Sequence, residues 1–299
     1  MTNSDHKQIA GDVLVIIASV LTALPLFIIA HKELPLLNWP YEADRILLFL
    51  IIVALLLLIL RVFRWLIVTG FFLLLLWLGY GSLTSHYGFT QLYHDYSAMI
   101  FAIGNDPHPA RLLFSSSRAG FPYEAAIKKA IQPANPGVRR FAVAATNKYF
   151  KDAQQKFSQY RNLIQCFAIF KQVNSRWNYV DDPRQQEYFA PAPESAQLLA
   201  GDCDDHAILM ASAILAIGGA PRLVLTTGHL YPELCIGNRR DLEQINYLIR
   251  KQLFPGESHG QDIHYHEDEN GRVWINMDYT ARYPGGPFMA EPVLGMLEP

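Results

Sequence analysis

Apolar residues run almost without interruption through two stretches near the start of the chain, then give way to short periodic segments separated by turn formers. Val13 to Ala30 is uncharged and about 18 residues long, close to what a helix rising about 1.5 Å per residue needs to cross a hydrocarbon core. Only Lys7 is basic ahead of it, and no small-x-small cleavage site follows, so an uncleaved anchor is expected rather than a secretory leader. From Ile46 to Tyr80 only Arg61 and Arg64 interrupt the apolar run, and a single helix of that length would measure about 50 Å. Two passes joined by a tight turn at the arginines are therefore expected, giving three transmembrane helices over about 13–30, 46–60 and 65–81. The Arg61–Arg64 turn would stay in the cytoplasm, which places everything after residue 83 on the outer, periplasmic side of a bacterial inner membrane.

Residues 83–137 are rich in turn formers, including Asn105-Asp106-Pro107 and Pro133-Ala134-Asn135-Pro136-Gly137, and read as a connecting region with short helices near Tyr93–Ile103 and Tyr123–Ile131. Helical spacing follows from Arg139 to about Val173, with Leu163, Phe167 and Phe170 on one stripe. Residues 184–201 read as a loop. A helix then starts at Cys203 or Asp204 and stops at Gly218-Gly219. Pro221 to Gly237 is strand-like, Asp241 to Leu253 is an amphipathic helix, and Asn270-Gly271 marks a hairpin between 263–266 and 272–277. The expected class is α+β: a membrane domain over 1–82, the connecting region, and a domain over 138–299 with a helical part and an antiparallel sheet.

Composition sharpens the division. Of 299 residues, 51% are hydrophobic and 17% charged. The first 82 carry 5 of the 25 Lys and Arg and 5 of the 27 Asp and Glu, so the remaining chain has an ordinary globular balance. A net charge of −2 without a basic cluster argues against a nucleic-acid partner. The cysteines, Cys166, Cys203 and Cys235, are too few and too scattered for a zinc ribbon or a disulfide framework. Cys166 and Cys235 lie in apolar sequence and read as small buried hydrophobes.

Gly201-Asp202-Cys203-Asp204-Asp205-His206 differs from these. It sets a cysteine at a helix start, where the macrodipole and unpaired amides favour a thiolate while three aspartates oppose it. A histidine partner is then needed for reactivity at neutral pH.

That run, followed by Ala207 to Leu215 and Gly218-Gly219-Ala220-Pro221-Arg222, resembles the transglutaminase-like superfamily, especially its bacterial cysteine-protease-like branch. Tyr179-Val180-Asp181-Asp182-Pro183 is similar to the segment preceding the family's nucleophile helix, Gly228-His229-Leu230-Tyr231 to the strand bearing its histidine, and Trp274-Ile275-Asn276-Met277-Asp278 to the strand carrying its aspartate. The resemblance covers about residues 160–282. It implies a papain-like fold and a Cys203, His229, Asp278 triad, with oxyanion donors from the Trp177–Tyr179 region and the Cys203 amide. A helical insertion over about 238–262 departs from the family pattern.

The implied activity is acyl transfer through a Cys203 thioester, with hydrolysis of a peptide or amide bond in an envelope protein or peptide. The rivals are a crosslinking transglutaminase and an inactive peptide-binding or envelope-assembly module. His206 lies three residues after Cys203 along the helix surface and is expected to support the structure rather than act as base. His264, His266, Glu267, Asp268 and Glu269 read as a solvated hairpin rather than a metal cluster. Some members of the superfamily depend on calcium, which would fall to Asp202, Asp204 or Asp205, but no full loop of oxygen ligands is present and no cofactor is expected.

Overall fold

The computed structural model describes residues 16–17, 19–31, 43–84, 86–110, 121–182, 187–288 and 292–299, side chains at 60–68 excepted. It forms two compact units, Met1–Gly104 and Asn105–Pro299.

The first unit holds α1 (19–31), α2 (Ala43–Leu83) and α3 (Phe89–Ala102). The tight turn expected at Arg61–Arg64 does not occur: α2 runs through it as one helix of 41 residues, about 60 Å long. The reason is local. Between Ala43 and Thr69 there is neither glycine nor proline, so nothing in the sequence breaks the helix. Among the described residues no helix is long and apolar enough to cross a membrane. The described side chains of α2 fall into 43–59 and 69–83, each short of the roughly 20 residues a crossing needs. This corrects the expected three transmembrane helices, and with them the placement as an integral inner-membrane protein with an exported domain. Residues 13–15 and 18 of the expected first span, and the connection over 32–42, lie outside the described residues.

The second unit is α+β. In chain order it contains β1 (His108–Pro109), α4 (Glu124–Ala130), α5 (Pro136–Lys148), α6 (Lys151–Lys156), α7 (Arg161–Asn174), β2 (Asn178–Tyr179), α8 (Ala192–Leu198), β3 (Ala200–Gly201) and α9 (Cys203–Ala216). It continues with β4 (Pro221–Thr226), β5 (His229–Asn238), α10 (Arg239–Tyr247), β6 (His264–Glu267), β7 (Arg272–Asn276) and β8 (Val293–Leu297). The main sheet has the order β1-β6-β7-β5-β4-β8. It is mixed rather than antiparallel throughout, because β1, from a segment read as turns, pairs parallel to β6.

The long helical pattern over 139–173 divides into three helices. Phe150, in the left-handed conformation at φ 60, breaks it after Lys148. Asn135 caps α5 by accepting from the Gly137 amide, with Pro136 at the first helical position. Helix α9 is buried on all sides from Asp205 to Ile214, as an apolar helix at the centre of a domain must be. It packs between α5 and α7 on one side and β4 and β5 on the other, with Phe167, Phe170, Leu209, Ile214, Leu230 and Leu234 in the shared core. At roughly 1.5–3 kcal/mol for each fully buried large apolar side chain, this layer is what holds α9 and its first residue in place. The expected helix over 241–253 starts with an Asn238–Asp241 capping box and ends in a π-helical turn, Leu248–Leu253.

The opposite sheet face carries a buried ionic group. Arg222 Nε donates to Glu233 Oε2 at 2.5 Å, and His266 Nδ1 lies 2.5 Å from Glu233 Oε1. The Arg222 guanidinium lies over Trp274, and His266 stacks on Phe288. The solvated hairpin expected at 263–277 is therefore corrected at His266, which is buried because strand alternation turns it to the same face as Trp274.

Candidate active site

Gly201 enters the site at φ +150, a backbone conformation L side chains rarely adopt, and a Cβ there would meet Asp205 Oδ2 at 2.3 Å. Glycine is thus required on both counts. Strand β3 pairs parallel to β2, with the Val180 amide donating to Gly201 O at 2.9 Å, so Asn178–Val180 lies against the approach to Cys203.

Helix α9 begins at Cys203, and Asp202 is its cap: Oδ1 accepts from the amides of Asp204 (3.0 Å) and Asp205 (3.3 Å). The positive helix end is therefore already engaged by a carboxylate, which reduces what the macrodipole offers a thiolate. The thiol itself donates to Asp204 Oδ1 at 3.5 Å. Burial, then the charge of Asp204 and next that of Asp202, push the Cys203 thiol up to about 12, against the effect of the Leu230 amide, which favours the thiolate. Burial and the neighbouring Asp202 raise Asp204 to about 7, and burial raises Asp205 to about 6 despite the hydrogen bond that the Ala190 amide donates to it. The aspartates expected to oppose the helix end thus do so, and burial adds to their effect in holding the Cys203 proton.

His229 opens β5 and Asp278 follows β7, two strands paired in the sheet, and both side chains are buried. His229 Nε2 and Asp278 Oδ2 are 2.9 Å apart. Burial raises the Asp278 carboxyl, but the hydrogen bond from His229, the nearness of the His206 and His229 rings and the hydrogen bond from Thr280 hold it below its ordinary value. Thr280 Oγ1 donates to Oδ2 at 2.5 Å, the Tyr279 amide donates to Oδ1 at 2.9 Å, and the Asp278 amide donates to Asn276 Oδ1 at 2.9 Å. An ionised Asp278 fixes the proton of a neutral His229 on Nε2 and leaves Nδ1 as the basic nitrogen. The backbone amide of Leu230, the residue after His229, is the group that favours the Cys203 thiolate, so the strand that carries His229 runs beside the start of α9.

His206 is not on a helix surface. It is fully buried, and burial lowers it to about 4, so it stays neutral across ordinary pH. Its Nε2 lies 3.2 Å from Asn174 Oδ1, and its ring meets Trp177 and Tyr279 edge-on. Trp177 Nε1 is buried with no hydrogen-bond partner among the described residues, a free donor in the segment expected to supply the oxyanion contact. Asn174 lies outside the sequence reading, and Asn276, Tyr279 and Thr280 stand in or beside the Asp278 motif with no role assigned to them. Asn276 and Thr280 sit two residues either side of Asp278, where side chains bond to local backbone and carboxylate.

Among the described residues, Asp202, Cys203 and Asp204 form the one group of three or more His, Cys, Asp or Glu side chains with ligand atoms within 4.8 Å of each other. Calcium takes six to eight oxygen ligands, whereas this group offers a sulfur and two carboxylates, of which Asp202 Oδ1 already accepts from two amides and Asp204 Oδ1 from the thiol. The set does not fit calcium. No family model, curated protein or solved structure matches the chain.

Proposed function

We propose that this protein performs thiol-dependent acyl transfer, forming a thioester on Cys203 from a peptide or amide carbonyl and releasing it to water. The observation that carries the reading is the buried His229–Asp278 pair at 2.9 Å, set beside the helix that begins with Cys203. Resemblance of the four ordered motifs to the transglutaminase-like superfamily supports it further.

In this reaction His229 Nδ1 takes the Cys203 thiol proton as sulfur attacks the carbonyl carbon. The carbonyl oxygen becomes an oxyanion, for which the Cys203 backbone amide and Trp177 Nε1 are the donors at hand. Collapse breaks the carbonyl–nitrogen bond, and the imidazolium returns the proton to the leaving amine. A water molecule then gives a proton to His229 and its oxygen to the thioester, and the thiol recovers its proton as the acid departs. Asp278 holds the ring in the required tautomer and stabilises the imidazolium at both stages. The resting contact of the thiol with Asp204 must open before transfer to His229, in keeping with catalytic hydrogen bonds that tighten only once substrate is bound.

The test is intact-protein mass spectrometry with p-nitrophenyl acetate. One acetyl group should appear on the Cys203 peptide, be absent in Cys203→Ala, and form far more slowly in His229→Ala. Failure of wild type to acquire an adduct at Cys203 would remove the reading.

A further inference from the structure

The side chain of Asn174, the last residue of α7, touches both halves of the site. Its Nδ2 donates to Asp278 O at 3.1 Å and to Ala281 O at 3.0 Å, the two ends of a turn closed by the Ala281 amide on Asp278 O. Its Oδ1 accepts from His206 Nε2 at 3.2 Å, one helical turn beyond Cys203.

Each orientation in this chain fixes the next. Two carbonyl oxygens accept only donors, so the Asn174 amide must present its nitrogen to the 278–281 turn and its oxygen to His206. The oxygen in turn requires the proton of His206 on Nε2. A neutral ring then carries a bare Nδ1, and His206 Nδ1 is indeed buried without a partner among the described residues. Tyr279, inside the turn, completes the contact by meeting the rings of both His206 and His229.

We propose that Asn174 is a positioning residue that, through His206, sets the nucleophile helix at a fixed distance from the Asp278 turn and so from the His229–Asp278 pair. The proposal rests on the thioester reading. A displacement of about 1 Å between reacting groups can reduce a rate roughly 100-fold, so one carboxamide spanning both halves has leverage out of proportion to its size. It touches no reacting atom, and its effect should fall on the acylation step rather than on ester binding.

The experiment measures the p-nitrophenol burst from p-nitrophenyl acetate in the full-length chain, separating the acylation rate constant from KM. Asn174→Ala should lower the rate constant about tenfold with KM within about twofold of wild type. His206→Ala should do the same, and His206→Gln, whose amide can still donate to Asn174 Oδ1, should recover most of the loss. The double variant Asn174→Ala with His206→Ala should be no slower than either single one, since both break the same link. Additive losses, failure of His206→Gln to rescue, or a wild-type rate constant in Asn174→Ala would overturn the proposal while a Cys203-dependent burst leaves the thioester reading standing. Absence of a Cys203-dependent burst in wild type would overturn both. Should Asn174→Ala not fold, the His206→Ala and His206→Gln pair decides alone: equal rates in the two defeat the proposal, and rescue supports it.

Discussion

The Cys203 sulfur lies 3.5 Å from Asp204 Oδ1, and among the described residues no hydrogen bond joins it to the His229 ring. The thiol thus rests on an acid rather than on the histidine proposed as its base. Both partners hold their protons harder than isolated groups do: burial and the charges of Asp204 and Asp202 push the thiol up to about 12, and burial and Asp202 push the Asp204 carboxyl up to about 7 although the hydrogen bond from the thiol favours its ionised form.

Asp204→Asn should therefore make Cys203 more reactive toward iodoacetamide, and the gain should depend on pH. Above about 7 the wild-type carboxyl is ionised and raises the thiol, so its removal frees thiolate; a shift of one unit would accelerate alkylation about tenfold. Below that pH Asp204 is already neutral and the two proteins should converge. Rates measured at pH 6 and pH 8 check this, and an identical ratio at both would show that Asp204 does not control the thiol.

Substitution of the three candidate catalytic residues should give graded losses in acyl transfer. Cys203→Ala removes the atom that forms the thioester and should cost on the order of 10⁶, as loss of the nucleophile does in serine enzymes. Asp278→Asn keeps the shape around Thr280 and the Tyr279 amide but favours the wrong tautomer of His229, a change that costs roughly 10⁴ in the comparable serine system. His206→Ala should be far milder than His229→Ala. Steady-state rates with a chromogenic ester read the series; Asp278→Asn within tenfold of wild type would take Asp278 out of the site.

What the sequence made legible was local. Cys203 as a helix start follows from Gly201 before it and the apolar positions that run to the glycine stop at 218–219, all within one window of chain. The hairpin ending at Asp278 is legible from Asn270-Gly271. Where one arginine pair interrupts an apolar run, composition alone does not distinguish a turn from a continuing helix, and α2 continues. The polar partners of His266 and His206 are not local: Glu233 lies 33 residues from the first and Asn174 lies 32 residues from the second, pairings that a local reading of either segment does not supply. The acidic balance around Cys203 was visible as three aspartates, but not that Asp202 would occupy the helix end.

His206 should make the fold sensitive to acid. Its folded pKa, about 4, lies below the ordinary 6.5 because burial disfavours the imidazolium. Below 6.5 the unfolded chain gains a proton that the folded one refuses, so the stability tied to a neutral His206 is fully present above that pH and is lost as pH falls toward 4. Asp204 and Asp205, both raised, act in the opposite sense over an overlapping window, which is why the comparison must be between proteins differing only at 206. Urea midpoints of wild type and His206→Gln should draw closer, or cross in favour of the variant, between pH 7 and pH 4.5. Parallel pH profiles would mean that His206 titrates normally.

In the folded protein Cys203 should be alkylated much faster than Cys166, and the reason is access rather than acidity. Burial lifts the thiols of Cys166 and Cys203 alike, each to about 12, so acidity does not single out Cys203. Cys166, however, is 0% exposed and packed under Gly219, where an added Cβ would lie 2.7 Å from its sulfur, while Cys203 is half-buried at a helix end. Reagent reaches Cys166 only through local opening of the α7–α9 core, whose free energy approaches that of global unfolding. Peptide mapping after brief iodoacetamide exposure should find label on Cys203 and almost none on Cys166, and denaturant should erase the difference. Labelling of Cys203 should fall in His229→Ala, because the imidazole that accepts the thiol proton is gone. If Cys166 keeps pace with Cys203 in the native state, the packing of α7 against α9 is looser than described; if Cys203 ignores His229, the pair that carries the functional proposal is not serving the thiol.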